Sequence, residues 1–178
     1  MRIISGTHKG IIIHAPKGLP VRPTTDRAKE SLFNILENNF DFEKLTCLDL
    51  FSGTGNVAYE FCSRGAKKVT SVDIDFGCIK FIKETIEKHQ FIQMTAVKKD
   101  VFSFMNQCTD QFDIIFADAP YALDKLPTIP MVVFEKQLLN TNAWLIVEHQ
   151  SNLDLSQQKY FFEKRNYGQS TFSFFKNS

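Results

Sequence analysis

Short apolar runs separated by amphipathic stretches fill the middle of this sequence. Residues 112–117 form an apolar run that is interrupted only by Asp113, and such a run is typical of a strand buried on both faces of a parallel sheet. Similar runs predict further strands over residues 45–50, 68–73, 91–97 and 143–148. Apolar residues at helical spacing predict intervening helices over residues 55–64, 100–105 and 131–139. A further helix is predicted to follow Asp73 and to end at about residue 89. Strands that alternate with helices favour a doubly wound α/β sheet.

The two ends of the chain have other patterns. Residues 2–5 and 10–14 are rich in Ile and flank Thr7-His8-Lys9, which predicts a β-hairpin with a basic tip. A helix then follows Thr25 or Asp26, either of which is a suitable N-cap. At the other end, two short apolar segments face each other across a turn and predict a closing hairpin over 159–164 and 170–175.

The length of 178 residues suits one domain with a sizeable core. We predict a single domain over 1–178, in which residues 1–24 are the hairpin and loop extension and 25–178 are the core. No window is apolar enough to span a membrane and no signal-peptide core follows Met1, so we expect a cytoplasmic monomer. No metal site is expected, because metal-type spacing is lacking among Cys47, Cys62, Cys78 and Cys108.

Charge is unevenly distributed, although the net charge is only +1. Residues 1–30 carry six cationic side chains against two acids, and residues 159–178 carry four against one, so the segment between them has a net charge of −6. This pattern predicts that the ends of the chain hold a polyanion while the centre binds a cationic or neutral ligand.

A glycine turn dominates the central segment. Cys47 to Ala58 has the pattern of a buried strand, a tight turn at Gly53 and Gly55, and the start of a helix. The first helical N–H groups then face whatever lies above the strand. The spacing of these glycines fits the loose dinucleotide fingerprint, so the turn alone leaves the ligand open.

Four acids lie at or near the ends of consecutive predicted strands, and we expect them to share a site: Asp49, Asp73, Asp100 and Asp118. The carboxylate of Asp73 suits a ribose diol. Asp49 beside the turn would repel the diphosphate of NAD but tolerates the sulfonium and ammonium of S-adenosylmethionine. Asp100 could accept from an adenine amine or serve as an N-cap.

The sequence Asp118-Ala119-Pro120-Tyr121 follows the most apolar strand. An exocyclic base amine is a poor nucleophile, because its lone pair is conjugated with the ring. A carboxylate and a backbone carbonyl that accept its two N–H groups would orient the nitrogen, and Tyr121 could stack on a base drawn out of its helix. Pro120 biases Ala119 towards an extended backbone.

These segments resemble the RsmD family of small-subunit ribosomal RNA guanine-N2 methyltransferases. The most specific match is Arg22-Pro-Thr-Thr-Asp-Arg-Ala-Lys-Glu-Ser-Leu-Phe-Asn34. The others are residues 1–6, 48–55, 63–66, 72–75 and 112–121. The resemblance covers essentially the whole chain. It implies a class I, Rossmann-like methyltransferase fold with a seven-stranded mixed sheet, an added N-terminal β-hairpin, and S-adenosylmethionine as methyl donor.

The resemblance also assigns roles to residues. The catalytic tetrapeptide would be Asp118, Ala119, Pro120 and Tyr121. The cofactor would be bound by Asp49, Phe51, Gly53, Gly55, Asp73 and Asp100. Ribosomal RNA, within a small-subunit assembly particle, would be the partner. Its phosphates would be held by Arg2, His8, Lys9, Arg22, Arg27 and Lys29.

One residue departs from the family pattern. The family has Asp-Pro-Pro-Tyr where this chain has Ala119 as the second residue. Alanine leaves φ unrestrained and adds an N–H group, so we predict weakened but not absent turnover. Ala119→Pro should then raise the rate, and an unchanged rate would make the substitution neutral.

Three alternatives stay open at this stage. An adenine-N6 DNA methyltransferase would use a similar tetrapeptide, but the chain shows no inserted target-recognition domain. A non-catalytic RNA-binding assembly factor would explain Ala119, and a cofactor titration would separate it from an enzyme. A nicotinamide enzyme is disfavoured by Asp49 and by the tetrapeptide.

Overall fold

The computed structural model describes residues 1–19 and 26–176. The strands are β1 (Thr46–Leu50), β2 (Lys68–Asp73), β3 (Met94–Lys98), β4 (Phe112–Asp118), β5 (Leu139–Gln150), β6 (Phe161–Tyr167) and β7 (Ser170–Lys176). The α-helices are α1 (Asp26–Glu37), α2 (Asn56–Ser63), α3 (Phe76–His89), α4 (Val101–Gln107) and α5 (Ile129–Glu135). Two short 3₁₀ helices cover Phe42–Lys44 and Leu126–Thr128.

The seven strands form one mixed sheet in the order β3-β2-β1-β4-β5-β7-β6. The first five strands in this order are mutually parallel, while β7 runs antiparallel to β5 and pairs with β6 as a hairpin. Strand order reverses between β1 and β4, which is where open α/β sheets bind their ligands. The predicted α/β fold and closing hairpin are therefore confirmed.

Apolar side chains on the two faces of the sheet form two separate hydrophobic clusters. One contains residues of α1, α2 and α3, such as Leu32, Val57 and Ile79, packed on Phe116 of β4. The other contains residues of α4 and α5 packed on Ile115 of the same strand. Because successive side chains of a strand point to opposite faces, β4 contributes to both layers, as the apolar residues 114–117 predict.

Three predicted boundaries were wrong. Strand β3 begins at Met94 rather than at residue 91, because Gln90 (φ 57°) ends α3 and the Phe91 amide donates to the carbonyl of Ile86. Helix α5 covers Ile129–Glu135 rather than 131–139, since a proline in the first turn of a helix is tolerated.

Strand β5 is the third correction, because it begins at Leu139 and not at residue 143. The polar residues after Leu139 concealed this part of the strand. Asn140 donates its amide to Asp113 Oδ1 at 2.8 Å, and the pairing with β4 shifts register between Phe112 and Ile114.

The N-terminal segment, residues 1–13, folds back on itself without two regular strands. It has a single antiparallel bridge between Arg2 and Ile12, supported by a hydrogen bond from the Ile3 amide to the Ile11 carbonyl at 2.9 Å. Its turn packs on the end of α2, where the Thr7 amide donates to the Ser63 carbonyl at 2.7 Å. A Cβ at Gly6 would lie 1.8 Å from that carbonyl oxygen, so the close approach requires glycine.

None of the helices that the structure describes has the length and apolar character needed to cross a membrane.

Candidate active site

The glycine turn links the end of β1 to the start of α2. Phe51 and Gly53 both have positive φ, 59° and 52°, and Gly55 follows with φ 83°. A Cβ at Gly55 would lie 2.8 Å from the ring of Tyr59, so this position has no room for a side chain. Positive φ is uncommon for an aromatic residue such as Phe51, and strained backbone of this kind clusters at functional sites.

A cavity of about 630 Å³ opens above this turn, at the carboxyl ends of β1, β2 and β4. This volume lies within the range of small-molecule sites, roughly 300–1,000 Å³. Predicted residues that line it are Asp49, Phe51, Gly53, Asp73, Asp118, Ala119, Pro120 and Tyr121. The structure thus brings together the predicted donor-binding and catalytic residues, which are up to 72 positions apart in the chain.

Asp73 is held in a fixed orientation at the edge of the cavity. Its two carboxylate oxygens accept from the backbone amides of Gly53 and Asp75, each at 2.8 Å. These bonds tie the end of β2 to the glycine turn. An acid oriented in this way can still present its remaining lone pairs to a ligand, because each carboxylate oxygen accepts more than one hydrogen bond.

Asp49 is the most unusual group in the cavity, because it is a carboxyl with only 2% of its surface exposed. Burial, together with the charge of Asp73, raises its pKa to about 8. No N–H or O–H group within residues 1–19 and 26–176 donates to its Oδ2 atom. A buried oxygen without a donor is costly, so this atom suits a ligand that brings a positive charge or a donor into the cavity.

The end of β4 supplies the opposite wall of the cavity. Ala119 is 1% exposed and packs in the hydrophobic cluster beneath α4 and α5, whereas Pro120 is exposed. The hydroxyl of Tyr121 is 2.9 Å from the Ser170 hydroxyl at the start of β7. This contact holds the Tyr121 ring across the end of the sheet, beside Asp118.

Two of the predicted cofactor residues do not line the cavity. Gly55 shapes the turn from below, as its contact with Tyr59 shows. Asp100 is exposed and is the N-cap of α4, where its side chain accepts from the Ser103 amide at 2.8 Å. That hydrogen bond lowers the pKa of Asp100. The structure therefore shows the capping role that the sequence also allowed.

The predicted RNA-binding residues are placed unequally. Arg2, Lys9 and Arg27 are exposed, and Arg2 Nε is 3.5 Å from Asp26 Oδ2. His8 is half-buried, with its ring 4.5 Å from that of Phe91 and its Nε2 atom 3.0 Å from the His89 carbonyl oxygen. Arg22 lies outside the described residues.

Lys29 requires a correction. Its side chain is completely buried, so it cannot reach a phosphate in this conformation. Its Nζ atom donates to the Arg2 carbonyl and to Asn56 Oδ1, each at 2.7 Å. The helical position of Lys29 beside Ala28 and Leu32, which are buried, was a signal that it faces the core.

Sequence reasoning missed several residues that line the cavity. Ile74 and Phe76 are 65% and 66% exposed, although both are large and apolar, and Lys98 lies 5.8 Å above the Phe76 ring. Their signal in the sequence was two apolar side chains directly after a strand-ending acid. Ile74 and Phe76 give the cavity an apolar surface next to Asp73.

A family model spans nearly the entire chain. The family described as "Conserved hypothetical protein 95" matches residues 1–176. Ribosomal RNA small subunit methyltransferase D of Haemophilus influenzae is 31% identical over 159 residues, which cover 87% of this chain and 81% of that protein.

Solved structures show the same architecture. The Escherichia coli protein yhhF superposes with a TM-score of 0.86 at 26% identity, covering 98% of this chain and 96% of that chain. A 16S rRNA N2 methyltransferase of T. thermophilus, in complex with AdoMet and guanosine, superposes with a TM-score of 0.73 at 19% identity, covering 90% of this chain and 46% of that chain. The predicted resemblance is confirmed: the chain has the class I, Rossmann-like methyltransferase fold and belongs to the RsmD family of small-subunit ribosomal RNA methyltransferases.

Proposed function

We propose that this protein transfers a methyl group from S-adenosylmethionine to the exocyclic N2 amine of a guanine in small-subunit ribosomal RNA. One observation carries the proposal. A single cavity joins the acids of β1 and β2, which suit the donor, to Asp118 at the end of β4 and Tyr121 in the turn after it, which suit a base amine. A methyl transfer needs this proximity, because the reacting atoms must be held in line within about 3–3.5 Å.

The donor side of the cavity fits a cationic nucleoside. Asp73 would accept from the ribose hydroxyls, and Asp49 would place its oxygen towards the positive part of the ligand. Ile74 and Phe76 offer apolar surface to an adenine ring. When bound there, S-adenosylmethionine supplies a methyl group activated by its sulfonium. A dinucleotide fits less well, because the glycine turn would bring its diphosphate next to Asp49.

The acceptor side fits an amine that must be oriented before it reacts. The Asp118 carboxylate and a backbone carbonyl at Ala119 would each accept an N–H of the guanine N2 amine, which aims the nitrogen lone pair into the cavity. The carboxylate would also stabilise the positive charge that develops on the nitrogen. Tyr121, anchored through its hydroxyl to Ser170, would stack on the flipped base.

The RNA would contact the exposed cations near the N-terminus. Arg2, Lys9 and Arg27 have exposed side chains that can neutralise phosphates. Binding through them would weaken with salt, because each phosphate contact releases condensed counterions. The relative from Haemophilus influenzae is named as a methyltransferase of small-subunit ribosomal RNA, which supports this RNA as the substrate.

The product nucleoside tests this proposal. Purified protein is incubated with methyl-labelled S-adenosylmethionine and small subunits from cells that lack the native modification, and the RNA is digested to nucleosides. We expect labelled N2-methylguanosine. Labelled N6-methyladenosine, or no label on particles that a related enzyme can modify, would overturn the proposal and favour the adenine or the assembly-factor alternative.

Two carboxyl variants provide the internal control. Asp118→Asn removes the proposed acceptor and should lower the initial rate about a hundredfold, the usual effect of removing one positioned polar group. Asp124→Asn changes an exposed carboxyl in the loop that follows the tetrapeptide, and should leave the rate unchanged. Equal rates for the two variants would remove Asp118 from the proposed mechanism.

A further inference from the structure

A buried lysine of α1 connects the N-terminal segment to the helix that begins at the glycine turn. Lys29 of α1 has no exposed side-chain surface, and its ammonium lies between two other parts of the chain. On one side it donates to the carbonyl of Arg2, and on the other to the side chain of Asn56, each at 2.7 Å. Asn56 is the first residue of α2 and lines the cavity.

A second buried group completes this connection. Glu60, one turn further along α2, is also fully buried and lies 3.5 Å from the Lys29 ammonium. Its carboxylate accepts from the backbone amides of Ile4 and Ser5 at 2.8 and 3.0 Å, and from Arg64 Nε at 2.9 Å. The N-terminal segment is therefore bound to the helix that begins at the glycine turn, and Lys29 connects it to the first residue of that helix.

We propose that Lys29 is a positioning residue for the cofactor: it uses the Arg2 carbonyl as a fixed point to orient Asn56, and through Asn56 the glycine turn. An ammonium offers three donors, and the observed contacts use them on Arg2, Asn56 and Glu60. The position of such a buried cation is tightly constrained, because any displacement would separate the charge from its hydrogen-bond partners. The thioether of Met1, 3.9 Å from the Thr54 hydroxyl, adds a second contact between the segment and the turn.

The inference rests on the proposed cofactor, and the binding of S-adenosylhomocysteine to the purified protein tests both separately. Calorimetry on the parent protein shows whether the ligand binds at all, which bears on the proposed function. Comparison of Lys29→Met with the parent bears on Lys29 alone. Methionine keeps the aliphatic length but donates no hydrogen bond, so we expect affinity to fall about tenfold.

A double-mutant cycle separates positioning from general stability. Asn56→Ala should weaken binding by a similar factor, and the double variant should be no weaker than Lys29→Met, because both changes break one connection. Asn56→Asp keeps an acceptor oxygen for Lys29 and should bind nearly as well as the parent. Lys44→Met, which removes a lysine with 82% of its side chain exposed, is the matched control and should leave affinity unchanged.

Hydrogen exchange in the ligand-free protein supplies a readout that does not depend on binding. Lys29→Met should speed exchange at the amides of residues 51–57 more than at those of β4 and β5. The proposal is overturned if Lys29→Met binds S-adenosylhomocysteine within twofold of the parent, or if its effect and that of Asn56→Ala multiply. Should Lys29→Met fail to fold, equal losses in Asn56→Ala and Asn56→Asp would overturn it.

Discussion

Two buried carboxyl groups, Asp49 and Glu60, lie on the same side of the sheet but differ in the hydrogen-bond donors that surround them. Glu60 is fully buried and receives hydrogen bonds from two backbone amides and Arg64, with Lys29 at 3.5 Å. Asp49 is 2% exposed, and its Oδ2 atom has no donor within the described residues. Burial of either carboxyl costs free energy, and the protein's own hydrogen-bond donors offset this cost fully only for Glu60.

The difference indicates that the Glu60 carboxylate stabilises the fold, whereas the Asp49 carboxyl is suited to bind a ligand. The donors around Glu60 come from the N-terminal segment and from α2, so its hydrogen bonds join parts of the fold that are 56 positions apart. Asp49 faces a cavity, and its pKa is raised to about 8, which is the response of a carboxyl that lacks a positive partner. A cationic ligand would provide what Lys29 and Arg64 provide for Glu60.

The largest expected effect is that of Glu60→Gln on stability. An amide would direct N–H groups at donors and leave Lys29 without its buried counter-ion, so we expect a loss of about 3–5 kcal/mol in the free energy of unfolding. Urea denaturation with a constant m-value measures it. A loss below about 1 kcal/mol would mean that the network is not the main attachment of the N-terminal segment.

Asp49→Asn should show the reverse pattern, with a large loss of ligand affinity and no loss of stability. The amide keeps the shape of the side chain and the acceptor for the Ala58 amide, but removes the negative charge. We expect the affinity for S-adenosylmethionine to fall about tenfold or more, equal to about 1.4 kcal/mol, while the protein stays folded at pH 7. Unchanged affinity would contradict the assignment of Asp49 to the cation.

The pH dependence of stability sharpens the comparison. The unfolded chain releases the Asp49 proton near the ordinary pKa of 3.8, whereas the folded protein keeps it until about pH 8. The folded state is the one that binds more protons between these values, so the contribution of Asp49 is fully present below about pH 4 and is lost as pH rises to about 8. We expect Asp49→Asn to gain stability relative to the parent across this interval.

Denaturation of both proteins at pH 5, 7 and 8.5 measures this difference. Parallel curves for parent and variant would mean that Asp49 is ionised and compensated in the folded protein. Addition of S-adenosylmethionine to the parent should release protons near neutral pH, because a cationic ligand favours the ionised carboxyl.

The smallest effect is expected at an exposed carboxyl. Glu84 of α3 is 3.9 Å from Lys80, with 63% of its side chain exposed. Glu84→Gln should change the free energy of unfolding by less than about 0.5 kcal/mol, because exposed ion pairs contribute little. A larger loss would mean that the denaturation assay responds to any change of charge, and the result for Glu60 would then need a correction.

Most of the sheet could be predicted from the sequence, and the errors have physical causes. The apolar run of β4 and the alternation of strands and helices were sufficient for the α/β fold and its hairpin. The start of β5 was not predictable, because Asn140 and Asn142 are poor strand formers. Their place in the sheet depends on a long-range contact, the hydrogen bond from Asn140 to Asp113.

The candidate site was likewise predictable only in part. Asp49, Asp73, Asp100 and Asp118 were predicted as one site because each lies at or near the carboxyl end of a predicted strand, and these ends share one edge of a parallel sheet. The structure places all of them except Asp100 on the cavity. Charge counting placed Lys29 in an RNA-binding surface, since a sequence lists cations without showing which ones are buried.

The sequence by itself therefore determined the local features of the protein: the apolar pattern of the strands, the glycine turn, and the acids at or near the strand ends. Only the tertiary structure decided which buried charges would be compensated. Lys29, Glu60 and the N-terminal amides become partners through contacts between residues far apart in the chain, whereas the Oδ2 atom of Asp49 has no donor within the described residues. Which charged groups pair depends on their distances in the folded protein, and the spacing of residues along the sequence does not specify these distances.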